Sequence, residues 1–290
     1  MLPFGNNKPT TPDAQMELVE HLAELRARIL RSLLYLAVAM SVTWFLNEWV
    51  FSVLAYPLQA EMAKLGQRNI RAEINYLSIV QPFLQKMQIA FVSGIVVAFP
   101  LVVLELWGFI APALTEEERK PVYFLAPFST LLFIAGTGLG YASLRPAFAW
   151  MASFIPSGTS LLQSASDYVL LVVKILLGFG ISFQLPIVLL FLARVNIINS
   201  RMMTTYWRHA VVIIAAFAAI LTPSNDPLTM LMMAVPMSGL YLLSISLVKA
   251  FEPKPDGTRS LSFATMITVA MAPVAILAAV GYWLWRSRGA

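Results

Sequence analysis

Carboxylates set close to apolar segments are the residues of this sequence best suited to chemistry. Glu24 lies on a helical face with His21 and Arg28, at spacings of 3 and 4. Glu116, Glu117 and Glu118 form an acidic run in the polar hairpin TEEERK, between two long apolar windows. Carboxylates are natural bidentate partners of guanidinium groups, so two separated acidic sites on one surface suit an arginine-containing ligand. Each site also has a plainer role. Glu24 can form an i to i+4 pair with Arg28 worth about 0.3 kcal/mol, and the acidic run can be a solvated turn paired with Arg119 and Lys120. A second set, Glu105, Lys86, Lys174 and Gln184, lies inside apolar stretches. A charge at a bilayer centre costs roughly 2.5 kcal/mol or more, so each of these needs a partner, a route to the interface or a function. The lysines lie near enough to window ends to snorkel. Glu105, beside Trp107 near the end of its window, can meet solvent or serve as a site.

The elements that must position these residues are membrane helices. Of 290 residues 59% are hydrophobic and only 12% charged, with mean hydropathy +0.74, which excludes disordered and fibrous classes and points to a polytopic membrane protein. Cysteine is absent and His21 and His209 are the only histidines, so thiolate metal sites, disulfides and a cysteine nucleophile are excluded. No metal, cofactor or catalytic group is expected. The opening MLPFGNNKPTTPDAQ has neither a signal-peptide nor a transit-peptide pattern, so no cleaved leader is expected.

An amphipathic helix is expected over 12–28, with Pro12 at its first position, followed by spans at about 29–51, 80–110, 122–142, 168–193, 210–221 and 228–248. The fifth has only twelve apolar residues, about 18 Å of helix, and the sixth contains Pro236. They read as a short hairpin that thins the membrane or is partly re-entrant. Beyond a polar linker from 251, a further apolar helix is expected at 263–285, and it is taken to span on its length. With the N-terminus in the cytoplasm, the inner loops hold twelve Lys and Arg against six outside, which sets the orientation. Arg286 and Arg288 then lie outside, against the charge rule.

The motifs carry a resemblance. His21-Leu22-Ala23-Glu24-Leu25-Arg26 resembles the HLxELR signature of the TatC family, the multispanning receptor subunit of the twin-arginine protein translocase. Phe99-Pro100, the run Glu105 to Leu114 and Glu118-Arg119 resemble its second signature. Asp167-Tyr168, Phe179 to Pro186, and Leu221-Thr222-Pro223 with Asp226 and Pro236 extend the likeness over about residues 15–250. The resemblance implies an all-α, cup-shaped bundle of six helices, to which 263–285 adds a seventh, in the prokaryotic plasma membrane. It also implies that Glu24 and Glu118 contact the twin arginines of signal peptides on folded cargo. Single-span TatA- and TatB-type subunits would assemble around the protein, and the proton gradient would drive export. Gln184 stands where the family usually has a glutamate.

The expected function is therefore a receptor without covalent chemistry. Glu24 and Glu118 bind the guanidinium pair, Glu116 and Glu117 add long-range attraction, and His21 shares the face of Glu24. Gln184, Lys174 and Glu105 are candidates for partner docking, and Pro223, Asp226 and Pro236 shape the hairpin. Expected partners are signal peptides, small subunits, further copies of the chain and lipids, but no nucleic acid. Two other classes stay open. A small-solute transporter would gather Glu105, Lys86 and Lys174 around one cavity. An intramembrane hydrolase lacks an HExxH site and a histidine paired with serine in an apolar window.

Overall fold

A computed structural model describes residues 12–66, 69–110, 116–195, 197–221 and 227–251. In chain order the elements are α1 (Pro12–Phe45), α2 (Asn47–Gly66), β1 (Arg71–Asn75), α3 (Gln81–Ile110), α4 (Glu116–Ser153), β2 (Ser160–Ser164), α5 (Ala165–Ser182), α6 (Leu185–Arg194), α7 (Ser200–Thr205), α8 (Trp207–Leu221) and α9 (Pro227–Phe251). Five stretches, Glu20–Phe45, Gln81–Ile110, Leu125–Ser153, Ala165–Ala193 and Met230–Lys249, are long and apolar enough to cross a membrane. This is an all-α membrane protein, built from helices because a helix pairs most backbone polar groups within itself, as lipid requires.

The amphipathic segment and the first span form one unbroken helix. At 34 residues, α1 is about 51 Å long, far more than a ~30 Å hydrocarbon core needs. It packs antiparallel on α3, and its partners step along both helices together. Arg28 meets Glu105, Met40 crowds Gly94, and the Thr43 hydroxyl donates to the Ala90 carbonyl at 2.9 Å; just beyond α1, the amide of Asn47, the first residue of α2, donates to the Lys86 carbonyl at 3.3 Å. Gly94 is required for this approach, because a Cβ there would fall 2.6 Å from the Met40 side chain and 3.0 Å from its backbone.

The helix pair α4 and α5 uses the same device. A Cβ on Gly136 would lie 2.7 Å from the Phe183 ring, and one on Gly180 would lie 2.7 Å from the Phe133 ring. Phe133, 1% exposed, stacks on Phe99 of α3 at 3.7 Å, so three helices share this buried layer. The fourth span bends at Phe183 and Gln184, where α5 gives way to α6 with Pro186 in the first turn of the new helix. The Gln184 side-chain amide donates to the Ser129 carbonyl of α4 at 3.1 Å, so it lies inside the bundle with a partner.

Several boundaries differ from the hydropathy reading. The window at 122–142 belongs to a 38-residue α4, whose ends carry the charged Glu116–Lys120 and Arg145 and so fall outside an apolar window. The first window, expected over 29–51, runs past the end of α1 at Phe45, and its last residues belong to α2, 47–66, whose low amphipathicity hid it and which contains Pro57. The short fifth element is present as α8, 15 residues or about 22 Å long, and Pro236 lies within α9. Pro223, Asp226 and the window 263–285 lie outside the described residues.

A small parallel ladder pairs β1 with β2, Arg71 opposite Ser160 through Asn75 opposite Ser164. It closes the end of the bundle away from the start of α1. Here Tyr168 donates to the Leu54 carbonyl at 2.5 Å, and Tyr141 donates to the Val53 carbonyl at 2.7 Å, tying α5 and α4 to α2.

Candidate functional site

Glu24, Arg28, Arg31 and Tyr35 follow one another at spacings of 4, 3 and 4, so they fall on one face of α1, the face that continues through the buried Ala39 and Thr43. Packing this face on α3 brings its polar half against Glu105, which is only 8% exposed. Glu105 is satisfied by the protein instead of by solvent. Arg28 Nη1 lies 3.2 Å from its Oε2, Arg31 Nη1 lies 3.4 Å from its Oε1, and the Tyr35 hydroxyl donates to Oε1 at 3.3 Å. Two cations and a hydroxyl offset the desolvation of one buried carboxylate.

Arg28 reaches further, to Glu24. Its Nη2 and Nε both approach Glu24 Oε1, at 2.6 and 3.0 Å. The i to i+4 pair read from the sequence is therefore formed, and a third residue, Glu105, shares the guanidinium. Gly108 makes room for it, since a Cβ at that position would collide with the Arg28 guanidinium. Among the described residues, the ion-pair partner of the other Glu24 oxygen is His21 Nδ1, at 4.0 Å. The His21 ring stacks on Phe109 of α3 at 4.5 Å, which fixes the wall beside that oxygen. The backbone of α4 starts at Glu116, after α3 ends at Ile110, so the three glutamates 116–118 occupy a helix first turn, where the macrodipole favours negative charge.

The other candidates lie elsewhere. Lys86, near the opposite end of α3, places its ammonium 4.8 Å from the centre of the Trp44 ring, a cation–π seat for a snorkelling lysine. Lys174 is exposed and lines a cavity of about 490 Å³ with Glu61, Gln163, Asp167 and Tyr168, between α2, the end of α4 and the start of α5. Neither Glu105 nor Lys86 lines this cavity. The three intramembrane charges therefore do not converge, as a solute transporter of the expected kind would need. Among the described residues no group of three His, Cys, Asp or Glu could hold a metal ion.

The sequence and the fold have counterparts among known proteins. Residues 20–236 match the family model described as Sec-independent protein translocase protein (TatC). This chain belongs to the TatC family. It is 33% identical over 240 residues to the Sec-independent protein translocase protein TatC of Koribacter versatilis, covering 82% of this chain and 87% of that one. To the protein of the same description from Deinococcus radiodurans it is 32% identical over 251 residues, covering 84% and 90%. Among solved structures it is similar to a crystal structure of the twin-arginine translocase receptor TatC, with TM-score 0.69 and 29% identity over 79% of this chain and 98% of that one.

Within this TatC-family chain, sequence reasoning missed two features. Arg31 and Tyr35 extend the polar face of His21, Glu24 and Arg28 by two further turns, and that periodicity was the available signal. Glu61 is 7% exposed in α2 and paired with Lys64 at 3.0 Å. Besides Lys64 and its α2 neighbours, its surroundings come from α4, β2 and α5, roughly ninety to one hundred and ten positions away, and a local pair with Lys64 alone does not mark a buried carboxylate.

Proposed function

We propose that this protein is the receptor subunit of a twin-arginine translocase, binding the arginine pair of signal peptides at the end of the bundle where α1 begins. The observation that carries the reading is Glu24. Among the described residues, one of its carboxylate oxygens has no cation closer than His21 Nδ1 at 4.0 Å, the carboxylate is a third exposed, and the His21–Phe109 stack flanks it. Glu118, with Glu116 and Glu117, supplies the second acidic site at the start of α4. Guanidinium recognition by carboxylates is geometric as well as electrostatic, so it discriminates arginine from lysine. Signal-peptide attraction at long range weakens with salt.

The inner face is cytoplasmic, on the distribution of Lys and Arg among the loops, and the membrane is a prokaryotic plasma membrane. TatA- and TatB-type single-span subunits dock on the bundle and further copies of the chain associate with it, with the proton gradient as the energy source. Exposed apolar residues of α8, Val212, Ile213, Phe217 and Ile220, offer a lipid- or helix-facing surface. Gln184 and Lys174 are the polar docking candidates, while the ion pairs of Glu105 favour a role in holding α1 on α3. The role of the receptor is binding and assembly, with no covalent step.

Export of a folded reporter carrying a twin-arginine leader, in cells whose own receptor is deleted, tests the reading. Export restored by the wild-type chain and lost with Glu24→Ala or Glu118→Ala, at equal membrane levels, supports it. Full export with both variants overturns it.

A further inference from the structure

The Glu24 site already holds a guanidinium. Both short contacts of Arg28, from Nε and Nη2, converge on Oε1, while Oε2 has, among the described residues, only His21 Nδ1 at 4.0 Å. Bidentate capture of another guanidinium needs both oxygens of the carboxylate, so an incoming arginine must displace Arg28. Arg28 has a second seat within reach. Its Nη1 contacts Glu105 Oε2 at 3.2 Å and the Glu105 carbonyl at 3.5 Å. The Arg31 and Tyr35 contacts fall on the other Glu105 oxygen, leaving Oε2 to Arg28. The guanidinium thus lies between two carboxylates on two helices, in a space that only glycine at 108 permits.

We propose that Arg28 is an internal competitor for the Glu24 carboxylate, and that Glu105 is the residue that relieves the competition by accepting Arg28 when a peptide arginine arrives. The inference rests on the reading of Glu24 as a peptide-binding carboxylate. Glu105 then acts on the peptide through Arg28 without touching it, as a positioning residue. The four charges explain why such a device is useful. Glu24, Glu105, Arg28 and Arg31 are neutral together, which keeps a partly buried carboxylate pair compatible with the folded bundle before any peptide is present. A site emptied of Arg28 would bind more tightly but would leave Glu24 without its cation in the free receptor.

Competition and direct contact differ in how substitutions combine. If Glu105 relieves competition, Glu105→Gln leaves Arg28 on Glu24 alone and weakens peptide binding, and adding Arg28→Gln restores it. If Glu105 contacts the peptide directly, the loss persists in the double variant. Gly108→Ala makes the same test without altering a charge, because the added methyl displaces Nη1 from its Glu105 seat.

The experiment measures the affinity of the full-length purified chain, in lipid nanodiscs, for a synthetic peptide with two adjacent arginines followed by an apolar segment. The expected result is a loss of roughly fivefold or more for Glu105→Gln and for Gly108→Ala, returned to wild-type affinity or better by Arg28→Gln in each background. Arg28→Gln alone should bind more tightly than wild type. Equal losses with and without Arg28→Gln would overturn the proposal, as would unchanged affinity of Glu105→Gln. A Glu24→Ala control separates the two levels: if it binds like wild type, the peptide site itself is elsewhere; if it binds weakly while the Arg28 double variants fail to recover, only the competitor role falls.

Discussion

The Gln184 side chain donates its amide hydrogen to the Ser129 carbonyl at 3.1 Å, bridging the bend between α5 and α6 to the middle of α4. The bond lies where the chain of the fourth span changes direction, so it joins the two halves of that span to their neighbour. An amide can make it without the cost of a membrane-embedded carboxylate.

Gln184→Leu is therefore expected to lower stability modestly, by about 0.6 kcal/mol, the average for a hydrogen bond between membrane helices. Thermal unfolding in a fixed detergent measures it. If Gln184 also docks a single-span partner, co-purification of that partner falls by more than this stability loss can explain.

Gly180→Ala should be far more damaging than its chemistry suggests. The new methyl would meet the Phe133 ring at 2.7 Å, and that ring is held against Phe99. A loss of about 1–3 kcal/mol is expected from overpacking. Gly138→Ala, with nothing within 4 Å of the added atom, serves as the control and should be neutral or slightly stabilising in its helix.

Two tyrosines anchor α2 from different depths. Tyr168 is 3% exposed and Tyr141 is half-buried, yet each donates to an adjacent α2 carbonyl. Tyr168→Phe should cost about 1 kcal/mol and loosen hydrogen exchange in α2, while Tyr141→Phe costs a few tenths, because solvent replaces its bond more easily. Equal effects would show that burial does not set the value of these bonds.

Much of the site was legible because it is local. Glu24 and Arg28 lie four residues apart on one helix, and the short α8 and the proline of α9 follow from the length and composition of their windows. The family motifs added Glu118 and the order of spans. What sequence left unread depends on distant pairing. The strands β1 and β2 are five residues each and separated by α3 and α4; the alternation in β1, Arg71 to Asn75, is too short to stand out, and β2, SLLQS, has none in its polar and apolar residues. For Glu105 the sequence leaves solvent contact and a functional role equally open, because its cations, Arg28 and Arg31, come from α1 across the antiparallel pair. The glycines 94, 108, 136 and 180 gave no hydropathy signal, although each admits a neighbour that a Cβ would exclude.

The segment 263–285 is proposed to cross the membrane as a seventh helix. A reporter fused after Ala290 should then be active only on the outer side of the membrane. Activity on the inner side would show that the segment does not cross or that the α8–α9 hairpin is re-entrant.

On the proposed function, Glu24 of α1 and Glu118 at the start of α4 read guanidinium geometry. The most direct measurement compares binding of a labelled signal peptide carrying two arginines with the same peptide carrying two lysines, to the wild-type chain and to Glu24→Ala and Glu118→Ala. The lysine peptide is expected to bind roughly tenfold more weakly, about 1.4 kcal/mol, with that discrimination lost in either variant. Equal affinities throughout would contradict it and show that burial of the apolar segment alone drives association.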